Sequence, residues 1–449
     1  MFRRKVTDEL KKWKVQYTPG TAALIEGARR VGKSTVAEEF AKKNYKSYIK
    51  VDFANITKEL KAVFDDIANL NLFFLRLQSL TGITLHERDS VIIFDEIQQH
   101  PPARQAIKYL VADGRYDYIE TGSLISIKNN VKNIVIPSEE HRIQMYPMDF
   151  EEFLWATGTD TYNTMRKFFQ LNEPAGNSIN RKLMRDFRIF MAVGGMPQAV
   201  EAYVNGKNFD QIDMVKRRII NLYLDDFKKI DSSGYIGKMY QSIPAQLAAK
   251  KKKFSISSAT GKRKLQRDLE RLSELFDSKT VIPCYNTTSP DSAISQTKDV
   301  ETYKLYMSDT GLFTTMIFMN EPVTGDNIYN RLLSDKLPAN LGYLYENAVA
   351  QMIASSGREL YYHTWKKNNS THTYEIDFLL QKGTKIIPLE VKSSANIRHE
   401  SIDEFCRKYS KYVTSPLLVS QKDTGHAGQL EFKPVYMIPF ILEDIDGST

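Results

Sequence analysis

Cysteine is nearly missing from this chain: there are two in 449 residues, Cys284 and Cys406, with no CxxC pair and no Cys/His cluster beside either. That excludes a disulfide-stapled scaffold and a structural zinc site of ordinary spacing, and it predicts a reducing, cytoplasmic setting. No apolar run reaches the about 18 residues of a membrane span. The opening MFRRKVTDELKKWK carries charge with no apolar core after it, so neither a membrane partner nor a secretory leader is expected. Internal repeats and long low-complexity tracts are lacking, which excludes a solenoid or a largely disordered chain. An overall excess of one charge is also small: 62 Lys+Arg against 54 Asp+Glu leave a net +8.

That small excess is concentrated. KKKKFSISSATGKRKLQRDLERL, from Lys250 to Leu272, holds nine Lys/Arg against two Asp/Glu, nearly the whole net charge. A basic segment of this kind is either a footprint for a polyanion or a solvated loop and helix face. The length suffices for two or three separate cores. Residues 20–150 alternate short apolar runs (TAALIEG, SYIKVDF, SVIIFDE, YDYIETG) with helical stretches, an α/β pattern with a parallel sheet. From about 150 to 245 the periodicity is helical. A smaller unit follows, with a basic run, an amphipathic helix and the strands KTVIPCYN and TYKLYMSD around a polar turn. From about 335 come one helix, LGYLYENAVAQMIASSG, and the strands ELYYHTW, YEIDFLLQ and TKIIPLEVKSS. The expected segments are 1–150, a core; 151–244, a helical lid; 245–325, a unit resembling a winged helix; and 326–449, an α/β domain.

Gly27-Ala28-Arg29-Arg30-Val31-Gly32-Lys33-Ser34 matches G-x-x-x-x-G-K-[ST] in full, follows the apolar AALIE and opens the helix that Thr35 continues. Glycines let successive backbone N–H groups and the helix N-terminus face phosphates. Lys33 supplies charge at the β/γ oxygens, and Ser34 a hydroxyl ligand for Mg²⁺, so ATP and Mg²⁺ are the expected cofactors. VIIFDE ends an apolar strand in Asp95, suited to hold the metal, and Glu96, suited to polarise the attacking water.

GARRVGKST, VIIFDEIQ, ETGS, HRIQMYPMDFEEFL, GGMPQAV, KLYMSDTGL and EIDFLL with PLEVK together resemble a family of bacterial and archaeal AAA-type ATPases. These join a P-loop module to a winged helix and a restriction-endonuclease-like C-terminal domain of unknown function. The resemblance spans nearly the whole chain. It implies an α/β P-loop parallel sheet with a helical lid, then a winged helix, then a C-terminal nuclease-like fold. It also implies that Thr121 and Ser123 sense the γ-phosphate, the alternative being a plain Thr-Gly-Ser turn. Pro197 in GGMPQAV would lie near the adenine, or simply break a helix. Arg142 would meet the phosphates in cis or from a neighbouring subunit, which goes with self-association through the ATPase module.

In GKRKLQRDLERLSELF a helix would set Leu265, Leu269, Leu272 and Phe276 on one face and Lys264, Arg267 and Arg271 on another. With Lys250, Lys251, Lys252 and Lys253, that cationic face is the expected nucleic-acid contact, DNA being favoured; docking of a protein is the alternative. At the back of the chain, residues two apart on a strand face one way, so Glu390 and Lys392 share a face, and Asp377 on a paired strand converges with them. Two carboxylates for Mg²⁺ and a lysine for the water are what phosphodiester hydrolysis needs. The D-x₁₂-E-x-K spacing resembles the PD-(D/E)xK nuclease core, with Glu346 as a further metal-site carboxylate and Ile376 where the nominal pattern has proline. An exposed E-x-K charge pair on an edge strand is the other reading. Three functions remain open: an ATP-controlled nuclease, an ATP-driven switch whose nuclease-like domain only binds nucleic acid or protein, or an ATPase motor with no nucleic-acid partner whose basic segment docks another subunit or protein.

Overall fold

Apolar runs too short for helices become strands that are buried on both faces. β1 (Ala22–Glu26), β3 (Ser90–Asp95) and β4 (Asp117–Gly122) are buried at every position. With β2 (Ser47–Asp52) and β5 (Glu140–Gln144) they form one parallel sheet in the order β2-β3-β4-β1-β5. A parallel sheet needs helices on its faces. They are supplied by Lys33–Asn44, Leu70–Thr81 and Pro101–Asp113, and the core between includes Phe53, Phe64, Phe73, Phe94, Ile107 and Tyr118. β5 is absent from the sequence reading, because EHRIQ has a single large apolar residue and its place is fixed by register with β1.

The computed structural model describes residues 1–123, 136–261, 266–290, 294–319, 326–334, 342–367, 372–393 and 399–447. They form two units: Met1–Tyr146 with Asp277–Lys279, and Pro147–Phe276 with Thr280–Thr449. The second begins with five helices, Phe150–Thr157, Tyr162–Leu171, Asn177–Val193, Pro197–Val204 and Phe209–Ile230. Asp149 with Glu152, and Asn208 with Gln211, close capping boxes at the first and last of these. Further helices follow at Tyr235–Gln241, Ile243–Ala248, Ile256–Thr260 and Gln266–Asp277.

β6 (Val281–Thr287) and β7 (Lys298–Met307) pair antiparallel, and β8 (Leu360–Lys366) and β9 (Thr373–Ile376) join them in one sheet, β7-β6-β8-β9. The expected boundary at 325/326 therefore falls between strands that share a sheet, with Cys284 to Asn286 beside Leu360 to Tyr362. A second sheet runs β10-β11-β12-β14-β13, from β10 (Phe378–Lys382), β11 (Lys385–Val391), β12 (Leu417–Ser420), β13 (Gly425–Ala427) and β14 (Leu430–Pro434). YEIDFLLQ, expected as one strand, is broken at Asp377 into β9 and β10, so that one stretch serves both sheets. The helix Gly342–Ser355 is buried almost all round, from Leu344 to Ala354.

Two motifs quoted above interlock. A Cβ at Gly311 would lie 2.5 Å from Gly194 Cα and one at Gly194 2.8 Å from Gly311 Cα, so GGMP and SDTGL touch backbone to backbone. Asp309 fixes the contact by accepting from Gly195 N (2.5 Å) and Leu312 N (2.8 Å). Beside it lies a buried ionic network. Asp213, fully buried, accepts from Thr315, Tyr329 and Arg217 at 2.7, 2.9 and 2.7 Å. Lys216 donates to Ala192 O (2.6 Å) and Tyr329 Oη (2.8 Å).

Candidate nucleotide and phosphodiester sites

The turn after β1 is built by close approach. A Cβ at Gly27 would sit 2.1 Å from Met145 O, since Met145 N donates to Glu26 O at 2.6 Å just beyond β5. Gly32, at φ 101, starts the helix with its left-handed backbone. Lys33 is buried and donates to Gly27 O (3.1 Å) and Ala28 O (3.0 Å), while Arg4 ties the loop down through Val31 O (2.8 Å) and Tyr146 O (2.7 Å). Burial presses the Lys33 ammonium toward neutrality and lowers its pKa, with Glu96 and Asp95 acting against this. A phosphate would relieve the same ammonium. Arg29 and Arg30 flank the turn, and Thr35 is exposed in the first helical turn.

Parallel register places β3 and β4 so that Asp95 and Thr121 meet. Asp95 Oδ1 accepts from Ser34 Oγ (2.6 Å) and Thr121 Oγ1 (2.5 Å), and Oδ2 faces Lys50 Nζ at 3.1 Å. Burial alone would raise the Asp95 pKa, but the two hydroxyls and Lys50 hold it below the ordinary carboxylate value. Ser34 and Asp95 are hard oxygen donors of the kind Mg²⁺ takes. Glu96 sits at φ 54, with its N–H 3.3 Å from Thr121 Oγ1 and its carboxylate held by Gln98 Nε2 at 2.5 Å. Ser123 follows the end of β4.

Arg142 lies elsewhere on this sheet. Register sets it beside Leu24, in the row of Glu26 and Glu140 and opposite the row of Ile25 and Thr121. Its guanidinium is 3.8 Å from both carboxylates. Pro197 is the first residue of the helix Pro197–Val204 in the second unit.

The second site is a cavity of about 360 Å³ within the second unit. It is lined by the carboxylates of Glu346, Glu375, Asp377 and Glu390 and by the lysines Lys392, Lys304 and, from the basic run, Lys250, Lys251 and Lys252. Asp377 Oδ2 accepts from Val391 N at 2.8 Å, which binds the break between β9 and β10 to β11. Glu390 Oε1 is 2.5 Å from Lys392 Nζ, and its buried Oε2 has no hydrogen-bond partner. That orphaned oxygen beside Asp377 suits a Mg²⁺ ion that keeps several waters. Glu346, expected as a further metal carboxylate, lines the same cavity. Yet among the described residues no three His, Cys, Asp or Glu side chains are grouped to hold a metal ion, because Asp377 is drawn to a backbone N–H and Glu390 to Lys392.

Burial, with the charge of Asp377 added, pushes Glu346 up to about 7, and burial likewise lifts Glu390 to about 7 against the pull of Lys392. Burial also disfavours the Lys392 charge, but Asp377 and Glu390 outweigh it, so the ammonium is firmly held. The folded pKa of Glu346 lies above its ordinary 4.5, so the proton it keeps stabilises the fold below that value and this is lost as pH rises through about 7. Glu346→Gln is expected to match wild type in urea unfolding near pH 4.5. It should exceed wild type by on the order of 1–3 kcal/mol at pH 8.

Glu375 and Lys304 are missing from the sequence reading. Lys304 Nζ pairs with Glu375 Oε1 at 2.5 Å and Lys252 Nζ with Oε2 at 3.2 Å, so Glu375 anchors the basic run at the cavity. A lysine inside the apolar strand TYKLYM is the signal that could have found it. Two expectations for the basic helix need correction or restriction. Arg271 is not on a free cationic face: it is buried, held by Asp268 (2.8 Å), Asp231 (3.3 Å) and Ser233 Oγ (2.7 Å), because those partners draw it into the packing face. Lys264 lies outside the described residues. Arg267 and Lys253 are exposed. Among the described residues no helix is long and apolar enough to cross a membrane.

Residues 20–154 match a family described as an AAA domain, residues 341–436 a domain of unknown function (DUF4143), and residues 184–323 another domain of unknown function (DUF8612). No curated protein matches the chain. Among solved structures, the Orc1 protein of Aeropyrum pernix in complex with DNA is 13% identical, covering 74% of this chain and 93% of its own, at a TM-score of 0.29. Cdc6p from Pyrobaculum aerophilum is 12% identical over 74% and 93%, at 0.23. A signal-transduction ATPase with a tetratricopeptide repeat sensor from Pyrococcus horikoshii is 12% identical over 78% of this chain and 48% of that one, at 0.27. Scores this low carry no argument. The AAA-domain match and the loop geometry make residues 20–154 a P-loop module of AAA type.

Proposed function

We propose that this is an ATP-binding and ATP-hydrolysing protein whose nucleotide state controls a nucleic-acid-cleaving site of PD-(D/E)xK type in the second unit. The observation that carries the reading is the shared cavity: Lys250 to Lys252, the backbone-neutralising cations, line the same space as Asp377, Glu390 and Lys392. A polyanion drawn to the cations meets the carboxylates at once. The strands β6 and β7 with the helices before them act as a winged helix that carries the basic run, with DNA as the favoured partner. Two cysteines without a disulfide fit work in the cytoplasm.

In the ATPase module, bound Mg²⁺ would neutralise charge on the β- and γ-phosphate oxygens, held by Ser34 and Asp95. Lys33 exchanges two loop carbonyls for phosphate oxygen. Glu96 leaves Gln98 to orient the attacking water, and Thr121, bonded to Asp95 and to the Glu96 N–H, reports the change at the γ-phosphate. In the second site Asp377 and Glu390 would hold Mg²⁺. Lys392, fixed in its charged form, orients the water rather than deprotonating it. Glu346, with a pKa near neutrality, accepts the water's proton as the oxygen bonds to phosphorus and one ester P–O bond breaks, the leaving oxygen taking a proton from solvent.

The test is cleavage of labelled single- and double-stranded DNA and RNA with Mg²⁺, with and without ATP. Asp377→Ala and Lys392→Met are each expected to lower the rate about 100-fold or more. No cleavage of any substrate by a wild type that still hydrolyses ATP would favour the second reading, a switch that binds without cutting. The Glu390–Lys392 pair at 2.5 Å is the observation on that side, since it ties up one of the two oxygens of Glu390 and places a cation beside the other.

A further inference from the structure

Lys50 is unexplained by the P-loop motif. It stands on β2 beside Ile93 of β3, so it shares the sheet face of Asp95. The helix after the loop covers that face, and Ser34 and Glu38, four residues apart, lie on one stripe of it. Each has a partner across the gap: Ser34 Oγ bonds Asp95 at 2.6 Å, and Glu38 Oε2 is 3.6 Å from Lys50 Nζ. The lysine thus stands between two carboxylates, 3.1 Å from Asp95 and 3.6 Å from Glu38. Both oxygens of Asp95 are engaged: Oδ1 takes two hydroxyls and Oδ2 the ammonium. A divalent cation at Asp95 can tolerate the neutral hydroxyls, but it repels an ammonium at this range. Lys50 is the group that has to yield, and Glu38, already paired with Lys42 at 2.9 Å, is the carboxylate it can yield to.

We propose that Lys50 is a built-in counterion of Asp95 that moves to Glu38 when metal and nucleotide bind, and so sets the Mg²⁺ concentration the site requires. The inference rests on the nucleotide-site reading above. It makes Lys50 a positioning residue: it touches neither nucleotide nor water but decides when Asp95 is free. The exchange leaves Asp95 with a cationic partner in both states, Lys50 before and the divalent ion after.

The experiment is a Mg²⁺ titration of fluorescent ATP-analogue binding to the full-length protein, with an EDTA reference. Lys50→Met is expected to lower the half-saturating Mg²⁺ about tenfold, and Lys50→Arg to keep the wild-type value. Glu38→Gln, which removes the receiving carboxylate, should raise it severalfold. A merely structural lysine would shift the thermal midpoint and leave the Mg²⁺ dependence alone. If analogue binds and Lys50→Met titrates like wild type, the inference is overturned while the site reading stands. If Lys50→Met keeps its circular dichroism yet binds no analogue, Lys50 is a nucleotide contact and the proposal is wrong. No binding by wild type at any Mg²⁺ would overturn the nucleotide site and this inference together.

Discussion

Asp213→Ala is expected to remove about 3–5 kcal/mol of stability, the scale of a broken buried ion pair. Its carboxylate is completely buried and carries Thr315, Tyr329 and Arg217. Alanine would take from the Arg217 guanidinium its counter-charge, leaving it the Phe318 and Met319 carbonyls, and take from Lys216 the charge that most supports it. Burial lowers Lys216 to about 8, and Asp213, then Asp309, keep it from falling further. The folded value is below the unfolded one, so stability rises as pH climbs through about 8 toward 10.5, where the unfolded chain alone still binds the proton. The Asp213→Ala defect, read from urea unfolding of the full chain, should therefore be larger at pH 6 than at pH 9.5. Lys216→Met added to Asp213→Ala should recover part of the loss, because removing both charges leaves less uncompensated than removing one. Arg217 does not deprotonate, and its share stays lost. An Asp213→Ala protein within ~1 kcal/mol of wild type at pH 6 would show that the network is not a keystone of the helical region.

Gly27→Ala should cost nucleotide affinity at least about 30-fold, together with about 1–3 kcal/mol of stability. The new methyl would lie 2.1 Å from Met145 O, a backbone atom that cannot rotate away. Either the loop lifts off β5, breaking Met145 N to Glu26 O, or the strand shifts and takes Arg142 and Gln144 with it. Both displace Ala28 and the amides that face the phosphates. Gly20→Ala is the control, since its Cβ would meet Tyr17 O at an ordinary 3.4 Å. Fluorescent-nucleotide binding and urea unfolding on both variants check this, and equal affinity of Gly27→Ala and wild type would mean the loop is not the binding element.

The strongest signals in the sequence are local. The glycine-lysine turn, the strand ending at Asp95 and the helices of 150–230 form where motif spacing and periodicity place them, since each is specified within one short stretch. What escapes is non-local. β5, β12 and β14 read poorly alone and exist because neighbours bring the register. Lys50 looks like the polar face of a strand until Asp95 and Glu38 surround it. Arg271 looked solvated on a helical wheel, but a wheel cannot show Asp231, forty residues earlier in the chain. In the cavity, Asp377, Glu390 and Lys392 could be named from alternation on paired strands. Lys304 and Glu375 could not, because their pairing joins β7 to β9 across the width of a sheet.

The pairing of β6 with β8 has a consequence for how the chain is made. The hairpin is complete only at Met307, and the edge that Cys284 to Asn286 present to Leu360 to Tyr362 then waits for 55 further residues. At about 5–20 residues per second that is roughly 3–11 s with an apolar strand edge open. Such an edge is a template for any other nascent chain on the same message. The protein is thus most exposed to mispairing while its C-terminal third is still being translated, and a pause in that interval lengthens the exposure.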